Sequence, residues 1–316
     1  MSGGPPPGGQ ALSLRARLAV AAYVLLTWPV MTAFLAGPVA VLVAASRPRE
    51  RRPWLWLIAL TVWLSLWAAQ SGGLLEDLVR ATAVLATGIG VLVLLLSQGS
   101  VSTRALRATG VVVAGTTALA AALGLQWSDV ELAVVRQGVL AQQVAMDLAR
   151  SVGVEPDSAL IETMAEQIRS VAPLFPGYLA LLVFLGLCLA ALLAPRISGV
   201  ALTPPAGRFT GFRFSDHLVW LVILGLIGTL FAGRTPLGGP AGSLLAFGAG
   251  LYGLRGAAVL ATALAYAPGF FVVLLVVGAL FLFPFAVGGL TLLGLADTWL
   301  DFRRRVTPPS PGGLDR

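Results

Sequence analysis

Apolar positions in this chain gather into eight runs, at about residues 18–46, 54–69, 78–97, 105–125, 173–194, 217–233, 241–266 and 269–300. About 20 helical residues cross ~30 Å of hydrocarbon. The pattern therefore predicts an all-α, polytopic helical membrane protein with eight hydrophobic segments. Six of the runs fit single spans, although 54–69 is short. The first and last, at 29 and 32 residues, are too long for one untilted crossing. Each carries internal proline, Pro29 and Pro38 in the first and Pro284 in the last. Both are expected to be broken or hairpin-like.

Arginine placement favours the break, because short loops rich in Arg stay on the cytosolic side. If both long runs fold back, that side receives Arg15, Arg17, Arg47, Arg49, Arg51, Arg52, Arg104, Arg107, Arg196, Arg208, Arg213, Arg303, Arg304 and Arg305. Only Arg80 and Arg234 then lie in short outer loops. If both runs cross once, the two sides are nearly balanced, and a long tilted helix is the competing accommodation. The folded-back reading puts both termini in the cytosol. Each arm would be only about 21 Å long at 1.5 Å per residue, and short arms need cover from protein or a wet cavity.

Composition changes the picture in three ways. With 57% hydrophobic and 11% charged residues, the chain is far more apolar than a soluble domain of this length. All of its basic residues are Arg, and with abundant Ala and Gly this points to a GC-rich bacterial genome and a bacterial cytoplasmic (inner) membrane. The net charge of +7 reads as arginine in inner loops and not as a nucleic-acid footprint. Rare residues then remove reaction classes. A single cysteine, Cys188, excludes an internal disulfide or CxxC pair, and a single histidine, His217, excludes paired-His zinc sites. The absence of Lys removes a P-loop lysine, a Schiff base and a Ser-Lys dyad. No enzyme activity, cofactor or metal is expected. Residues 1–14 read as a disordered Gly/Pro-rich tail, 15–305 as one helical transmembrane domain, and 306–316 as a disordered C-terminal tail.

The one long hydrophilic region, 127–172, opens on a capping box, Ser128 with Glu131, and predicts a helix to about Arg150 that Gly153 and Pro156 end. A second helix places Leu160, Met164 and Ile168 on one face. The pair forms an outer loop that either lies on the membrane surface or lids an outward cavity. Small residues recur every fourth position at Ala36, Ala40 and Ala44, at Ala114, Ala118 and Ala122, and from Ala249 through Gly253 to Ala265. Such rows let helices approach closely, within a bundle or against a membrane protein partner.

Two polar features interrupt the apolar sequence. Arg255, near the middle of its run, is a candidate to bind a small anionic solute, with Tyr252 beside it, or else to pair with a carboxylate such as Asp297. At the end of the last run, Asp297, Asp301, Arg304 and Arg305 form a polar cluster. Asp301 precedes Arg305 by four residues, a spacing that suits a helical ion pair acting as a cytosolic stop.

The stretches "LLGLADTWLDFRRR", "GLYGLRGAAVLATAL" and "FRFSDHLVWLVILGLIG" resemble the YybS-like family of predicted bacterial membrane proteins over about residues 15–305. That family is distantly similar to the substrate-binding S components of energy-coupling-factor vitamin transporters. The resemblance implies a helical membrane protein with an outward ligand cavity, and makes Ala36, Ala40 and Ala44 candidates for docking a partner. It implies no catalytic residue. Two functions follow as expectations: small-solute binding or transport, or a non-transporting membrane scaffold for envelope proteins. A wet pocket at Arg255 favours the first, and an Arg255 locked to an acid in a dry bundle favours the second.

Overall fold

The computed structural model describes residues 29–302 apart from 152, 154, 156, 206, 208, 233–237 and 266. The tails at 1–14 and 306–316, and Arg303, Arg304 and Arg305, lie outside the described residues. Every regular element within them is helical. In chain order they are α1 (Pro29–Ala45), α2 (Arg51–Ala68), α3 (Leu74–Leu96), α4 (Val101–Ala122), α5 (Trp127–Ser151), α6 (Ser158–Val171), α7 (Phe175–Ser198), α8 (Val219–Ala232), α9 (Gly238–Leu264), α10 (Gly269–Phe281) and α11 (Phe283–Leu300). Of these, α3, α4, α7, α9 and α11 are long and apolar enough to cross a bilayer. The fold is that of an all-α polytopic membrane protein.

Local chemistry sets the boundaries. Ser100 caps α4 by accepting the Thr103 N–H at 3.3 Å, and Asp157 caps α6 by accepting the Ala159 N–H at 3.1 Å. Gly199 ends α7 in the left-handed region at φ 71°, which glycine enters without steric cost. At α5 the expected capping box gives way to another arrangement. The helix begins at Trp127, one residue before Ser128, and the Asp129 carboxylate accepts the Gln126 N–H at 2.7 Å. Asp129, two residues before Glu131, takes the reaching-back role.

The long final run is broken, as its length requires. Leu282, at φ −105° and ψ 37°, separates α10 from α11, and Pro284 stands in the first turn of α11 where its missing N–H costs nothing. Helices α9 and α11 run parallel. Thr291 Oγ1 donates to the Ala249 carbonyl at 3.2 Å, and Arg255 meets Asp297 further along, both pairs 42 residues apart. A chain joining two parallel helices has to return between them, and α10 makes that return. The cover expected for so short an arm is not found among the described residues, where Phe270, Phe271, Val273, Val276 and Phe281 are all exposed. Exposed side chains of this kind suit lipid, and the helix satisfies its own backbone. For the first long run, α1 starts at Pro29, and the preceding half lies outside the described residues.

Close crossings hold the bundle. A Cβ on Gly294 would overlap the Tyr252 carbonyl, and one on Gly256 would overlap the Leu290 carbonyl, so α9 and α11 touch backbone to backbone. In the same way Gly186 of α7 admits the Phe34 carbonyl of α1. Gly37 of α1 admits the hydroxyl of Thr87, which a π-turn at Ala86–Gly90 of α3 pushes outward. The core that results centres on Phe34, Leu42, Leu94, Val183, Phe184, Leu187 and Leu251.

Helix ends define two faces. One brings together the ends of α1 and α7 with the start of α2, and carries Arg47, Arg49 and Arg196. The segment before α8 joins it, where the Ser102 hydroxyl donates to the Arg213 carbonyl at 3.1 Å. The opposite face carries α5 and α6, which pack on each other through Ile168 over Gly138 and a 2.9 Å bond from the Gln142 amide to the Ile161 carbonyl.

Replacing Gly256 or Gly294 with Ala should lower the thermal midpoint in detergent, with an overpacking cost of about 1–3 kcal/mol. Gly288→Ala, whose Cβ would meet open space, should leave the midpoint unchanged.

Candidate functional site

Arg255 lies on α9 and is 4% exposed. Its Nε donates to Asp297 Oδ2 at 3.0 Å, its Nη2 to the Asp297 carbonyl at 3.3 Å, and its Nη1 to Asp216 Oδ1 at 2.7 Å. The Asp297 carbonyl belongs to the last turn of α11, where the dipole is negative, and it also accepts the Asp301 N–H at 3.3 Å. One guanidinium thus joins α9, the end of α11 and the segment entering α8. The two carboxylates differ sharply in setting. Asp297 is fully buried, while the Asp216 side chain remains 65% exposed. The guanidinium therefore bridges a fully buried carboxylate and a largely exposed one.

An aromatic stack begins beside the arginine. The guanidinium lies 5.7 Å from the centroid of Phe214, an energetically favourable placement. Phe214 packs edge-on against Tyr252 at 5.2 Å and against Phe212 at 5.8 Å, and Phe212 continues to Phe184 of α7. Tyr252 is fully buried in this stack. Neither Arg255 nor Tyr252 lines a described cavity. The candidate solute-binding pair is built as an ion-paired, aromatic-packed joint.

The terminal polar cluster is arranged differently from its helical spacing. Helix α11 stops at Leu300, and Asp301 takes a left-handed conformation at φ 41° as its cap. Asp301 pairs with Arg213, and its expected partners Arg304 and Arg305 lie outside the described residues. Asp297 takes the alternative partner, Arg255. The docking row is also placed inward: Ala36 and Ala40 are 3% and 8% exposed and pack the bundle itself, leaving Ala44 exposed. Asp216, Phe214 and Arg213 were not singled out from the sequence. Their signal was present in "FRFSDHL", a polar-aromatic alternation beside an apolar run, which is unusual for a plain loop.

A cavity of about 170 Å³ opens at the other face, beneath the start of α5. Its walls come from α3 (Leu78, Thr82), α4 (Val113, Thr116, Thr117, Ala120), the α4–α5 junction (Gln126, Trp127) and α7 (Phe175, Leu179). The lining is largely apolar. Thr82 donates to its own helix at 2.8 Å and lies 3.3 Å from the Thr116 hydroxyl, so two hydroxyls are paired at the wall. The first turn of α5 forms one edge, with Val130 buried there.

Helical spans joined by buried ion pairs and close glycine crossings define an integral membrane protein. The chain belongs to the family described as predicted membrane protein DUF2232, which matches residues 17–298. No curated protein matches it, and no solved structure does.

Arg255→Ala or Asp297→Ala should cost about 3–5 kcal/mol of stability, because each leaves a buried charge without its counterpart. Asp216→Ala should cost about 1 kcal/mol or less, since its carboxylate faces water. Replacing the buried pair together, Arg255→Met with Asp297→Leu, should recover most of the single-variant loss in denaturant titrations.

Proposed function

We propose that this protein binds a small, uncharged, mostly apolar solute in the cavity beneath α5, as a non-enzymatic solute-binding or transport component of a bacterial cytoplasmic membrane. The single observation that supports this reading is the cavity's construction. It is a concave, largely apolar recess with a few hydroxyl and amide groups at its wall, and an amphipathic outer helix forms its edge. This is the organisation that a resemblance to S components of vitamin transporters would lead one to seek. The proposal moves the site away from Arg255 and Tyr252, and it changes the solute. Among the described residues no charged side chain lines the recess, so an anion would be desolvated there without compensation.

A non-transporting membrane scaffold is the second reading. Its support is that Arg255 is bound to Asp216 and to the buried Asp297, the arrangement expected of a structural ion pair. The two readings diverge at the cavity. In a thermal-stability screen of the purified protein against small neutral ring compounds, solute binding predicts a raised midpoint for wild type. Ala120→Phe, which fills the recess, should abolish that rise. A midpoint that no compound moves, or that moves equally in both proteins, would refute solute binding here.

A further inference from the structure

The arginine-bearing face holds a polar cleft of about 710 Å³ between the end of α1, the start of α2 and the end of α7. Arg47, Arg49 and Arg196 line it, with Ser46 and Ser198 between them and Glu50 as the one acidic side chain. Arg51 and Arg52, in the first turn of α2, are exposed and do not line the cleft, and three further arginines of this face are engaged elsewhere. Arg104 Nε donates to the Gly99 carbonyl at 3.0 Å, Arg107 to the Gln98 carbonyl at 3.0 Å, and Arg213 to Asp301. Among the described residues, no ion pair or side-chain hydrogen bond engages Arg47, Arg49 or Arg196. Three guanidinium groups are therefore gathered around one space with a single carboxylate to balance them. The first turn of α2, an 18-residue helix, faces the same space through Pro53 and adds the positive end of its dipole.

What lies next to the cleft identifies the anion's carrier. Trp54, one residue beyond Pro53, is half exposed and anchored by its indole N–H to the Pro48 carbonyl at 3.0 Å; Trp56 follows. Tryptophan in such a position marks headgroup depth. From there α2 continues into an exposed apolar stripe, Leu55, Ile58, Val62 and Leu66, spaced to run down one side of the helix. A basic cleft that opens at headgroup depth onto a lipid-facing helix suits a molecule with a phosphate at one end and acyl chains at the other.

We propose that this cleft is a binding site for an anionic phospholipid. Arg47, Arg49 and Arg196 hold the headgroup phosphate, and the acyl chains lie along the exposed stripe of α2. The site stands at the opposite end of the bundle from the solute cavity and does not depend on it.

The test titrates the purified full-length protein in neutral detergent with phosphatidylglycerol, with phosphatidylcholine of the same chains, and with inorganic phosphate, reading thermal midpoint and bound lipid by native mass spectrometry. Wild type should prefer phosphatidylglycerol over phosphatidylcholine by about tenfold or more, given roughly 1 kcal/mol of attraction per arginine near an anionic headgroup. Arg47→Gln/Arg49→Gln/Arg196→Gln should lose that preference, and Arg104→Gln/Arg107→Gln should keep it. Glu50→Gln should tighten the anionic lipid, and this decides the matter if the triple variant does not fold. The proposal is overturned if the triple variant retains the preference, or if the Arg104/Arg107 variant loses it equally. It is equally overturned if inorganic phosphate displaces the lipid, or if Glu50→Gln fails to strengthen binding.

Discussion

A guanidinium taken out of water has to be met by charge and hydrogen-bond acceptors, or the fold that buries it will not form. Arg255 imposes that requirement on three elements at once. The end of α11 has to approach closely enough to present both the carboxylate and the carbonyl of Asp297, and the segment before α8 has to fold inward far enough to present Asp216. The glycines at the α9–α11 crossing are what make the first approach possible. With side chains at 256 and 294 the helix axes would stand further apart, and Asp297 would fall short of Nε. The phenylalanines at 212 and 214 accomplish the second, carrying the connecting segment onto the bundle and keeping water from the inner half of the pair.

Much of the architecture was legible because membrane helices announce themselves by length and composition. The eight apolar runs, the break that Pro284 implies, the helix ending near Arg150 and the Arg255–Asp297 pairing could all be read from residue type and spacing. Helix bounds were less legible: the run around Arg255 was bounded by its apolar residues, yet α9 starts earlier, at Gly238. The Arg213 partner of Asp301 could not be read from spacing, because it lies 88 residues away and helical spacing shows only near neighbours. The small-residue rows show how little a repeat of alanines specifies. Ala114, Ala118 and Ala122 are all exposed, whereas the tightest seam uses Gly256 and Gly294, which belong to none of the three rows.

The two ends of the bundle differ in chemical character. At one end an apolar recess sits beneath the start of α5, and among the described residues no charged side chain lines it. At the other, arginines are either tied to carbonyls and carboxylates or gathered around an open cleft. The helices between are packed by backbone contact, so a shift of one against another would have to separate close-fitted surfaces. Any signal passing between the ends would therefore travel as movement of whole helices. Helix α7 is the one element that walls both the recess and the cleft.

The order in which Arg255 meets its two acids has a consequence for biosynthesis. Asp216 is synthesised 39 residues before Arg255, and Asp297 emerges 42 residues after it. At about 5–20 residues per second the ribosome needs roughly 2–8 s to deliver the second partner. During that interval the arginine enters the membrane already escorted by an acid from the preceding segment. The nascent bundle is left open on the side that α11 will occupy. Arrival of α11, and not insertion of the early helices, is what closes the site around Arg255.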